Sequence, residues 1–370
     1  MIFSSIAALL TVVLLILRAI AFHNSHVADF YTARIFTPLA TALTWLTSLL
    51  PFSLTEFFVV LGLPVLLVFL VYGLVRLLKN KSSRGIRFLR ICCIVAAVAL
   101  TIFSLFIVFH GINYARSPLA DTMKLEIKER SVDELAAAMR TLGQAAAAVR
   151  DNLPEDASGD ILTGTKRDLQ QAAHLGWEIA GKRWPALDST VRSRPKGVLL
   201  SKYWSYTNIV GMYLPMLVEA NINIDQPAFM IPATTAHELA HTRGFAREDD
   251  TDFAGLLSCF LHPDPVWQYS GLISAWKDLS RMLAAEDRVL WSQVYADTVT
   301  AAMAHDLKSE SLYWQAYETP VAQVSTQIND AYLKANRETE GVKSYGGVVD
   351  LLLAWLDTED AEQVISAVLP

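Results

Sequence analysis

Charge and cysteine are both scarce in this chain of 370 residues. Asp, Glu, Lys and Arg together make up 18% of the residues, whereas hydrophobic residues make up 53%. The three cysteines are the adjacent Cys92 and Cys93 and the distant Cys259, so the chain has neither a disulfide framework nor a CxxC metal motif. Because the net charge is −6 and no sustained basic run follows residue 90, we expect no nucleic-acid partner.

The hydrophobic excess lies mostly in the N-terminal third of the chain. Residues 54–78 and 88–112 each exceed the roughly 20 apolar residues that a helix needs to cross a bilayer. Residues 1–22 form another apolar stretch. Its pattern of Ala19 and Ala21 also fits a signal-peptide cleavage site, but the stretch begins without Lys or Arg, which favours a retained spanning helix.

The loop between the second and third apolar stretches is basic and contains no acidic residue. Its basic residues are Arg76, Lys79, Lys81, Arg84, Arg87 and Arg90. Short loops with this bias lie on the cytoplasmic side of a membrane, so residues 113–370 are predicted to be extracytoplasmic. Residues 1–112 are then a membrane anchor in the lipid bilayer. Within the anchor, residues 27–50 carry aromatics and few charges and predict a helix lying at the membrane surface.

The part of the chain after the anchor is long enough to form its own core. Residues 120–150 are rich in Ala, Leu, Glu and Arg and predict a helix. Residues 197–204 and 208–224 carry strand-forming residues punctuated by Gly, Pro and Asn, which predicts a small sheet. From about residue 234 to the end the pattern is mainly helical. The prediction is a mainly helical α+β domain.

The segment TTAHELAHTRGFAREDDTDF (234–253) concentrates histidine and carboxylate in a chain poor in charge, and it contains the motif HExxH. Residues four apart lie on one face of a helix, so His237 and His241 can bind one Zn²⁺. Glu238 can then take a proton from the zinc-bound water, whose pKa the metal lowers to about 7. Thr234 is predicted to cap the N-terminus of the motif helix.

Catalytic zinc usually takes a third protein ligand. The carboxylates after the motif are Glu248, Asp249, Asp250 and Asp252. Gly244 is predicted to end the motif helix in a left-handed turn. We favour Glu248 as the third ligand because it follows His241 by seven residues, which allows the turn and the start of a returning helix.

The remaining acidic residues have other predicted roles. Asp252 lies one helical turn beyond the favoured ligand, so it can accept the outer N–H of His237 or His241. Asp249 and Asp250 are interpreted as the solvated face of the returning helix.

The segment EDDTD, from Glu248 to Asp252, resembles the ExxxD element of gluzincin peptidases, in which the Glu binds zinc and the Asp supports a ligand histidine. Metzincins have a further His at the position of Arg247, which argues against that group. Most of the chain is similar to a family of bacterial membrane proteins catalogued as a domain of unknown function, whose members resemble gluzincin metallopeptidases. The matching stretches are GINYARSPL (111–119), GMYLPMLVEANIN (211–223), HELAHTRGFARED (237–249) and AYLKANRETEGVKSYGGVVDLLLAW (331–355). The resemblance implies zinc and peptidase-like chemistry.

Several other residues carry alternative interpretations. Glu219 and Asn221 precede the motif helix, where gluzincins place an edge strand that pairs with an extended peptide, so they face either the substrate or the interior of a structural strand. A tyrosine can stabilise the oxyanion of the reaction, and the candidates are Tyr206, Tyr213, Tyr332 and Tyr345. Cys259 is interpreted as a core thiol.

The leading hypothesis is a membrane-anchored zinc metallopeptidase of the bacterial inner membrane, acting on a peptide or protein substrate outside the cytoplasm. The alternative is a non-catalytic zinc-binding sensor or assembly protein of the cell envelope, and the intact Glu238 argues against it. An intramembrane protease would carry HExxH inside a spanning helix, whereas this motif lies well past the last apolar stretch.

Overall fold

The computed structural model describes residues 2–79, 84–336 and 347–369. Within these ranges the chain is mainly helical, with one sheet of three short strands. The order along the chain is helices, sheet and helices, which confirms the predicted mainly helical α+β pattern. Lys81 of the basic loop and Tyr345, one of the candidate tyrosines, lie outside the described residues.

The N-terminal part is built from apolar helices. Its described α-helices are α1 (Ile2–His23), α2 (Ser25–Tyr31), α3 (Thr37–Thr47), α4 (Leu54–Phe57), α5 (Leu63–Lys79) and α6 (Arg84–Phe106). π-Helical turns extend or join them at Thr32–Phe36, Phe58–Gly62 and Ile107–Gly111. Among the described residues, three helices are long and apolar enough to cross a membrane: Ile2–His23, Leu54–Leu77 and Arg84–Ala115. They coincide with the three apolar stretches of the sequence.

The first and third of these helices pack against each other. Thr11 on α1 hydrogen-bonds Ser104 on α6, with 2.9 Å between the two hydroxyl oxygens. Arg18 donates from Nε to the Gly111 carbonyl at 3.0 Å. Such polar contacts are typical of helix pairs that pack within membranes. The middle helix has no buried residue over its apolar window, which suits a helix surrounded by lipid.

A nearly continuous helical segment connects the first two of these three helices, which we call spanning helices because each is long and apolar enough to cross a membrane. It runs through α2, the π-helical turn Thr32–Phe36 and α3, where the sequence predicts a helix over 27–50. Its apolar side joins a hydrophobic cluster shared with the sheet. The buried residues of this cluster include Ala28, Phe36, Ala40, Ile107, Ile112, Val191, Tyr213 and Val218. The N-terminal helices therefore form one packed body with the sheet.

The rest of the chain contains most of the helices. They are α7 (Leu119–Met123), α8 (Val132–Arg150), α9 (Lys166–Arg183), α10 (Ser201–Ser205), α11 (Ile231–Thr242), α12 (Glu248–Phe260), α13 (Pro265–Glu286), α14 (Arg288–Thr298), α15 (Ala301–Gln315), α16 (Pro320–Ala335), α17 (Gly347–Leu356) and α18 (Glu359–Val368). Short 3-10 turns lie at Asn113–Ala115, Pro185–Leu187, Pro215–Leu217 and Ala228–Met230. The single helix predicted over 120–150 is interrupted after α7, because Ser131 and Glu134 form a capping box at which α8 begins.

Three short strands form the sheet in the order β1-β3-β2: β1 (Lys196–Val198), β2 (Gly211–Leu214) and β3 (Glu219–Asn223). β3 is parallel to β1 and antiparallel to β2, and all five of its residues are buried. β2 is therefore an edge strand. The strand predicted over 197–204 is wrong beyond Val198, because Ser201 begins α10 and its hydroxyl donates to the Val198 carbonyl at 2.6 Å.

The main hydrophobic core lies among α8, α12, α13 and α17. Trp267 of α13 and Trp355 of α17 are fully buried, and Phe260 of α12 stacks on Trp355 with 5.6 Å between ring centroids. Cys259 is buried in the same core, which confirms its interpretation as a core thiol. Burial of such large side chains makes this core a rigid support for α11 and α12.

Glu219 and Asn221 on the central strand hold the start of the second spanning helix. The Glu219 carboxylate accepts the backbone N–H of Leu54 at 3.1 Å and that of Thr55 at 2.9 Å, and the Thr55 hydroxyl donates to it at 2.7 Å. Asn221 accepts the Ser53 hydroxyl at 2.6 Å. The carboxylate satisfies the free N–H groups of a helix N-terminus and complements its dipole.

Replacing Glu219 by Ala removes an acceptor shared by three donors. We expect the free energy of unfolding to fall by about 2–3 kcal/mol, because hydrogen bonds to a buried charge carry this magnitude. Chemical unfolding in detergent micelles, followed by tryptophan fluorescence, measures the change. Glu129→Ala, which removes an exposed carboxylate, is the matched control. Equal stability of the two variants would contradict the anchoring role of Glu219.

Candidate metal centre

Helix α11 carries the HExxH motif. It begins at Ile231 and has Pro232 in its first turn. The prediction that Thr234 caps the helix is wrong, because the helix already includes this residue. The Thr235 hydroxyl donates to the Ile231 carbonyl at 2.7 Å. Glu238 is therefore not drawn into a capping box, and its carboxylate is available for other contacts.

The turn after α11 is held by the chain that follows the last spanning helix. Gly244 has a φ of +86°, which confirms the predicted left-handed turn. Arg116 donates from Nη1 to the Gly244 carbonyl at 2.8 Å, and its guanidinium lies 4.8 Å from the centroid of the Phe245 ring. Arg247 donates in turn to the Arg116 carbonyl at 2.9 Å. These contacts set the direction in which α12 leaves the turn.

Helix α12 runs back along α11 at close range. A Cβ added to Gly255 would lie 3.0 Å from the backbone nitrogen of His237, so a larger residue would push the helices apart. The close approach brings Glu248 and Asp252, one helical turn apart, to the ring of His237. The packing of α11 against α12 thus brings together residues that precede and follow the turn at Gly244.

Three side chains converge at this contact. The Nε2 atom of His237 lies 3.3 Å from Glu248 Oε2, and the Nε2 atom of His241 lies 3.8 Å from Glu248 Oε1. The Nδ1 atom of His237 hydrogen-bonds Asp252 Oδ1 at 2.6 Å, as predicted for one of the two histidines. His241 instead uses Nδ1 to contact the Phe245 carbonyl at 2.8 Å. Both Nε2 atoms therefore face the Glu248 carboxylate.

His237, His241 and Glu248 fit a metal ion. Their ligand atoms all lie within 4.8 Å of one another. In a tetrahedral site with bonds of about 2.0–2.1 Å, ligand atoms are about 3.3–3.4 Å apart. The 3.3 Å between His237 and Glu248 matches this value, and the 3.8 Å between His241 and Glu248 is somewhat longer. Each imidazole is oriented by a partner on its Nδ1 atom, as metal-ligating histidines are. The group can therefore hold a metal ion.

The electrostatics of the cluster also favour a cation. Burial opposes charge on His237, but Asp252 and Glu248 outweigh it and hold the pKa of His237 well above its usual value. Burial alone would raise the pKa of Glu248, yet the imidazoles of His241 and His237 outweigh it and lower that pKa to about 2. The surrounding carboxylates thus stabilise positive charge at the position where a metal ion would lie.

Glu238 lies beside the cluster and is almost fully buried. Burial raises the pKa of its carboxyl to about 8, while the backbone N–H of Tyr213 donates to it. Its Oε2 atom has no hydrogen-bond partner among the described residues. Gly211 leaves room for this side chain, since a Cβ there would lie 2.5 Å from Glu238 Oε1. A buried carboxylate with an unsatisfied oxygen is a feature of functional sites.

The cluster opens into a cavity of about 1660 Å³, which we call the central cavity. It is lined by all five residues of the candidate centre: His237, Glu238, His241, Glu248 and Asp252. Its other walls come from the spanning helix α6, the edge strand β2, α13 and α16. They include Ala99, Ile102, Phe103, Phe106, Gly211, Met212, Tyr213, Lys277, Asp278, Arg281, Ser325, Ile328, Asn329 and Tyr332.

The structure brings only some of the predicted substrate residues to this cavity. Tyr213 and Tyr332 line it, whereas Tyr206, Glu219 and Asn221 are not among its lining residues. Glu219 and Asn221 lie on β3, which is the central strand of the sheet. The edge strand that lines the cavity is β2. Glu219 and Asn221 hold the second spanning helix instead of facing the cavity.

The candidate tyrosines differ in what their hydroxyl groups contact. Tyr213 donates to the Phe109 carbonyl at 3.1 Å, so its hydroxyl is already used. Tyr332 accepts a hydrogen bond from the Tyr114 hydroxyl at 3.5 Å. Tyr206 packs edge to face on Tyr317, with 4.9 Å between ring centroids.

The interpretation of Asp250 as a solvated residue is wrong. Its carboxylate is buried, accepts the Leu119 backbone N–H at 2.9 Å and pairs with Arg247. The chain after the last spanning helix covers the start of α12, and an isolated sequence pattern does not reveal this long-range contact. Asp249, one residue earlier, is partly exposed.

His110 is a residue of the site that the sequence reasoning missed. It lies at the end of the third spanning helix, lines the central cavity, and its ring centroid is 5.5 Å from that of His241. Tyr213 stacks on His241 from another side at 5.7 Å. The available signal was an ionisable residue inside an apolar span, which is a functional indicator in membrane proteins.

Metal affinity tests the assignment of the ligands. Glu248→Ala removes one of the three ligands and should abolish tight binding. Asp252→Ala leaves the ligands in place but frees the His237 ring, so we expect about 10- to 100-fold weaker binding. Asp249→Ala, on the same helix, is the matched control and should change affinity little. Zn²⁺ titrations of the metal-free proteins measure these effects, and near-normal affinity in Glu248→Ala would exclude Glu248 as a ligand.

Comparison with known proteins places the chain in a family. No curated protein and no solved structure matches it. A family described as "Protein of unknown function (DUF3810)" matches residues 31–353, from the second helix to α17 and including the whole candidate centre. Because the match covers most of the chain, the protein belongs to the DUF3810 family.

Proposed function

We propose that this protein is a membrane-anchored zinc metallopeptidase that hydrolyses peptide bonds outside the cytoplasm. The observation that carries the proposal is the position of Glu238, a buried carboxylate with a free oxygen beside a group that can hold a metal ion. The resemblance of HELAH and EDDTD to the zinc-binding elements of gluzincin peptidases supports the same chemistry.

The ligand set favours zinc among the common metals. Two imidazole nitrogens and one carboxylate are the donors of many catalytic zinc sites, which keep one position open. Here His237, His241 and Glu248 would hold the ion. A bound zinc would act as a Lewis acid that polarises the substrate carbonyl and lowers the pKa of water to about 7. Asp252 and the Phe245 carbonyl fix the two imidazole rings for this role.

Glu238 acts as the general base in this proposal. The ionised form of this carboxyl, which burial disfavours and a cation bound beside it would favour, accepts a proton at Oε2 from the water that attacks the substrate carbonyl. The same carboxyl then delivers a proton to the leaving amine. Tyr332 lines the cavity and accepts a hydrogen bond from Tyr114, so its own O–H can donate to the oxyanion that develops on the carbonyl.

The edge strand β2 provides a place for an extended substrate. Gly211, Met212 and Tyr213 of this strand line the central cavity, and β2 pairs with only one neighbour in the sheet. A peptide that pairs with its free edge would bring a backbone carbonyl close to Glu238, since Gly211 and Tyr213 both contact this side chain.

The charge of the loop between α5 and α6 supports an extracytoplasmic site. Its described basic residues are Arg76, Lys79, Arg84, Arg87 and Arg90. With this loop in the cytoplasm, the other ends of the three spanning helices lie outside. Those ends are the ones that contact the rest of the chain, through Arg18 and Asn336, through Leu54 and Glu219, and through His110 and His241. This membrane is the bacterial inner membrane in our proposal.

Glu238→Gln should retain zinc and lose hydrolysis, because it removes the base and leaves the ligands in place. We expect cleavage of a random peptide library to fall by about 10²- to 10⁴-fold at unchanged metal content. Mass spectrometry of the products and elemental analysis measure the two quantities.

A second substitution disturbs the Glu238 carboxylate without changing Glu238 itself. Gly211→Ala places a methyl group against Glu238 and should lower cleavage while zinc stays bound. Gly62→Ala, where a Cβ meets no neighbour, is the matched control. Full activity in Glu238→Gln would overturn the mechanism. Zinc binding without cleavage in the parent protein would support a zinc-binding sensor or assembly protein instead.

Reporter fusions test the side of the membrane. A reporter that is active only outside the cytoplasm should work when fused after residue 370 and fail within residues 79–87. A reporter that is active only in the cytoplasm should show the reverse pattern. The opposite result for both reporters would place the candidate centre in the cytoplasm.

A further inference from the structure

The third spanning helix forms a wall of the central cavity. Ala99, Ile102, Phe103 and Phe106 line the cavity, and their spacing of three or four residues places them on one face of α6. Ile102 is 49% exposed and Phe103 is 43% exposed. Because these residues belong to the apolar helix Arg84–Ala115, the cavity wall continues into an exposed helix surface that suits contact with lipid.

Helix α16 lines the same cavity and contacts α6. Its residues Val321, Val324, Ile328 and Tyr332 recur at helical spacing and form an apolar stripe. Val324 and Ile328 are 54% and 65% exposed. The ring of Tyr332 meets Phe106 edge to face, with 6.1 Å between centroids. An amphipathic helix with an exposed apolar stripe beside a spanning helix suits the membrane interface.

We use the name membrane groove for the apolar surface formed by Ile102, Phe103, Phe106 and Ile328. The groove belongs to the same cavity as His237, Glu238 and His241. An occupant that fills the cavity must therefore be apolar along α6 and α16 and polar near the candidate metal centre. A peptide that is polar throughout would leave the apolar wall without a complementary surface.

We propose that the substrate is a polypeptide anchored in the bilayer by its own apolar segment. That segment lies in the membrane groove, and a peptide bond just outside the bilayer reaches Glu238. A polypeptide fits better than a lipid because the edge strand β2 lines the same cavity and offers main-chain N–H and C=O groups to an extended chain. The inference rests on the proposed peptidase function and names the class of its substrate.

Site-specific photocross-linking tests the occupant of the groove. The full-length protein carrying Glu238→Gln is reconstituted in vesicles of phosphatidylethanolamine and phosphatidylglycerol. Benzoylphenylalanine replaces Phe103 or Ile328 in the groove. The matched control is the same replacement at Phe69, which is 67% exposed on the spanning helix α5 and does not line the cavity. The probe is a leucine-rich spanning helix that continues into a short randomised segment.

We expect about tenfold more cross-linking of the probe at Phe103 and Ile328 than at Phe69. A modest difference in binding free energy between the groove and the open bilayer is enough for this ratio. The randomised segment without its spanning helix should cross-link little. Equal yields at all three positions would overturn the proposal, because they would report only chance encounters in the bilayer. Cross-links to phospholipid alone would overturn it in favour of a lipid occupant.

A cleavage assay separates the failure of this inference from the failure of the peptidase function. Cross-linking needs no hydrolysis, so a probe that cross-links in the groove but is never cut by the parent protein contradicts the peptidase function and supports the anchored ligand. Cleavage of anchored and soluble probes at equal rates, without enrichment at Phe103 and Ile328, supports the peptidase function and contradicts the membrane groove.

Discussion

The close packing of α11 against α12 is the contact on which the candidate centre depends. At Gly255 the helices approach so closely that a Cβ would lie 3.0 Å from the backbone nitrogen of His237. At this separation Glu248, at the start of α12, reaches the Nε2 atoms of both histidines, while Asp252 reaches Nδ1 of His237. At a wider separation the two imidazoles would lack a third metal ligand. Glu238 would then be a buried carboxylate without a metal site beside it.

The same contact is tied to the membrane helices at several points. Arg116, just after the third span, holds the turn at Gly244 between the two helices. Glu219 on the central strand holds the start of the second span, and His110 at the end of the third span lies against His241. These contacts fix the position of the candidate centre relative to the ends of the three long apolar helices. In the function that we propose, this constraint suits a substrate whose scissile bond lies at a defined distance from the membrane.

Local features of the site could be predicted from the sequence. The spacing of His237 and His241 defines a helix face, and Gly244 marks the turn that allows Glu248 and Asp252 to return. These inferences needed only helical periodicity and the length of the turn. They did not depend on how distant parts of the chain pack.

Several features of the site depend on long-range contacts that the sequence does not show. Asp250 looks like a surface residue of α12, but its partner is the Leu119 backbone, 131 residues away in the chain. In the sequence His110 is only the end of an apolar span. Its contact with His241 depends on how the third spanning helix packs beside the motif helix. For Glu219 and Asn221 the sequence left a substrate-facing strand and a structural strand open, and the order of the sheet makes theirs the central strand.

X-ray absorption at the zinc edge tests the central claim, that His237, His241 and Glu248 hold the metal beside Glu238. The full-length protein in detergent micelles, loaded with one equivalent of Zn²⁺, should show imidazole nitrogens and carboxylate oxygen at about 2.0–2.2 Å from the metal and no sulfur. His237→Ala should remove one of the two imidazole contributions. A spectrum with sulfur neighbours, or one that His237→Ala leaves unchanged, would show that zinc binds elsewhere and would contradict the account.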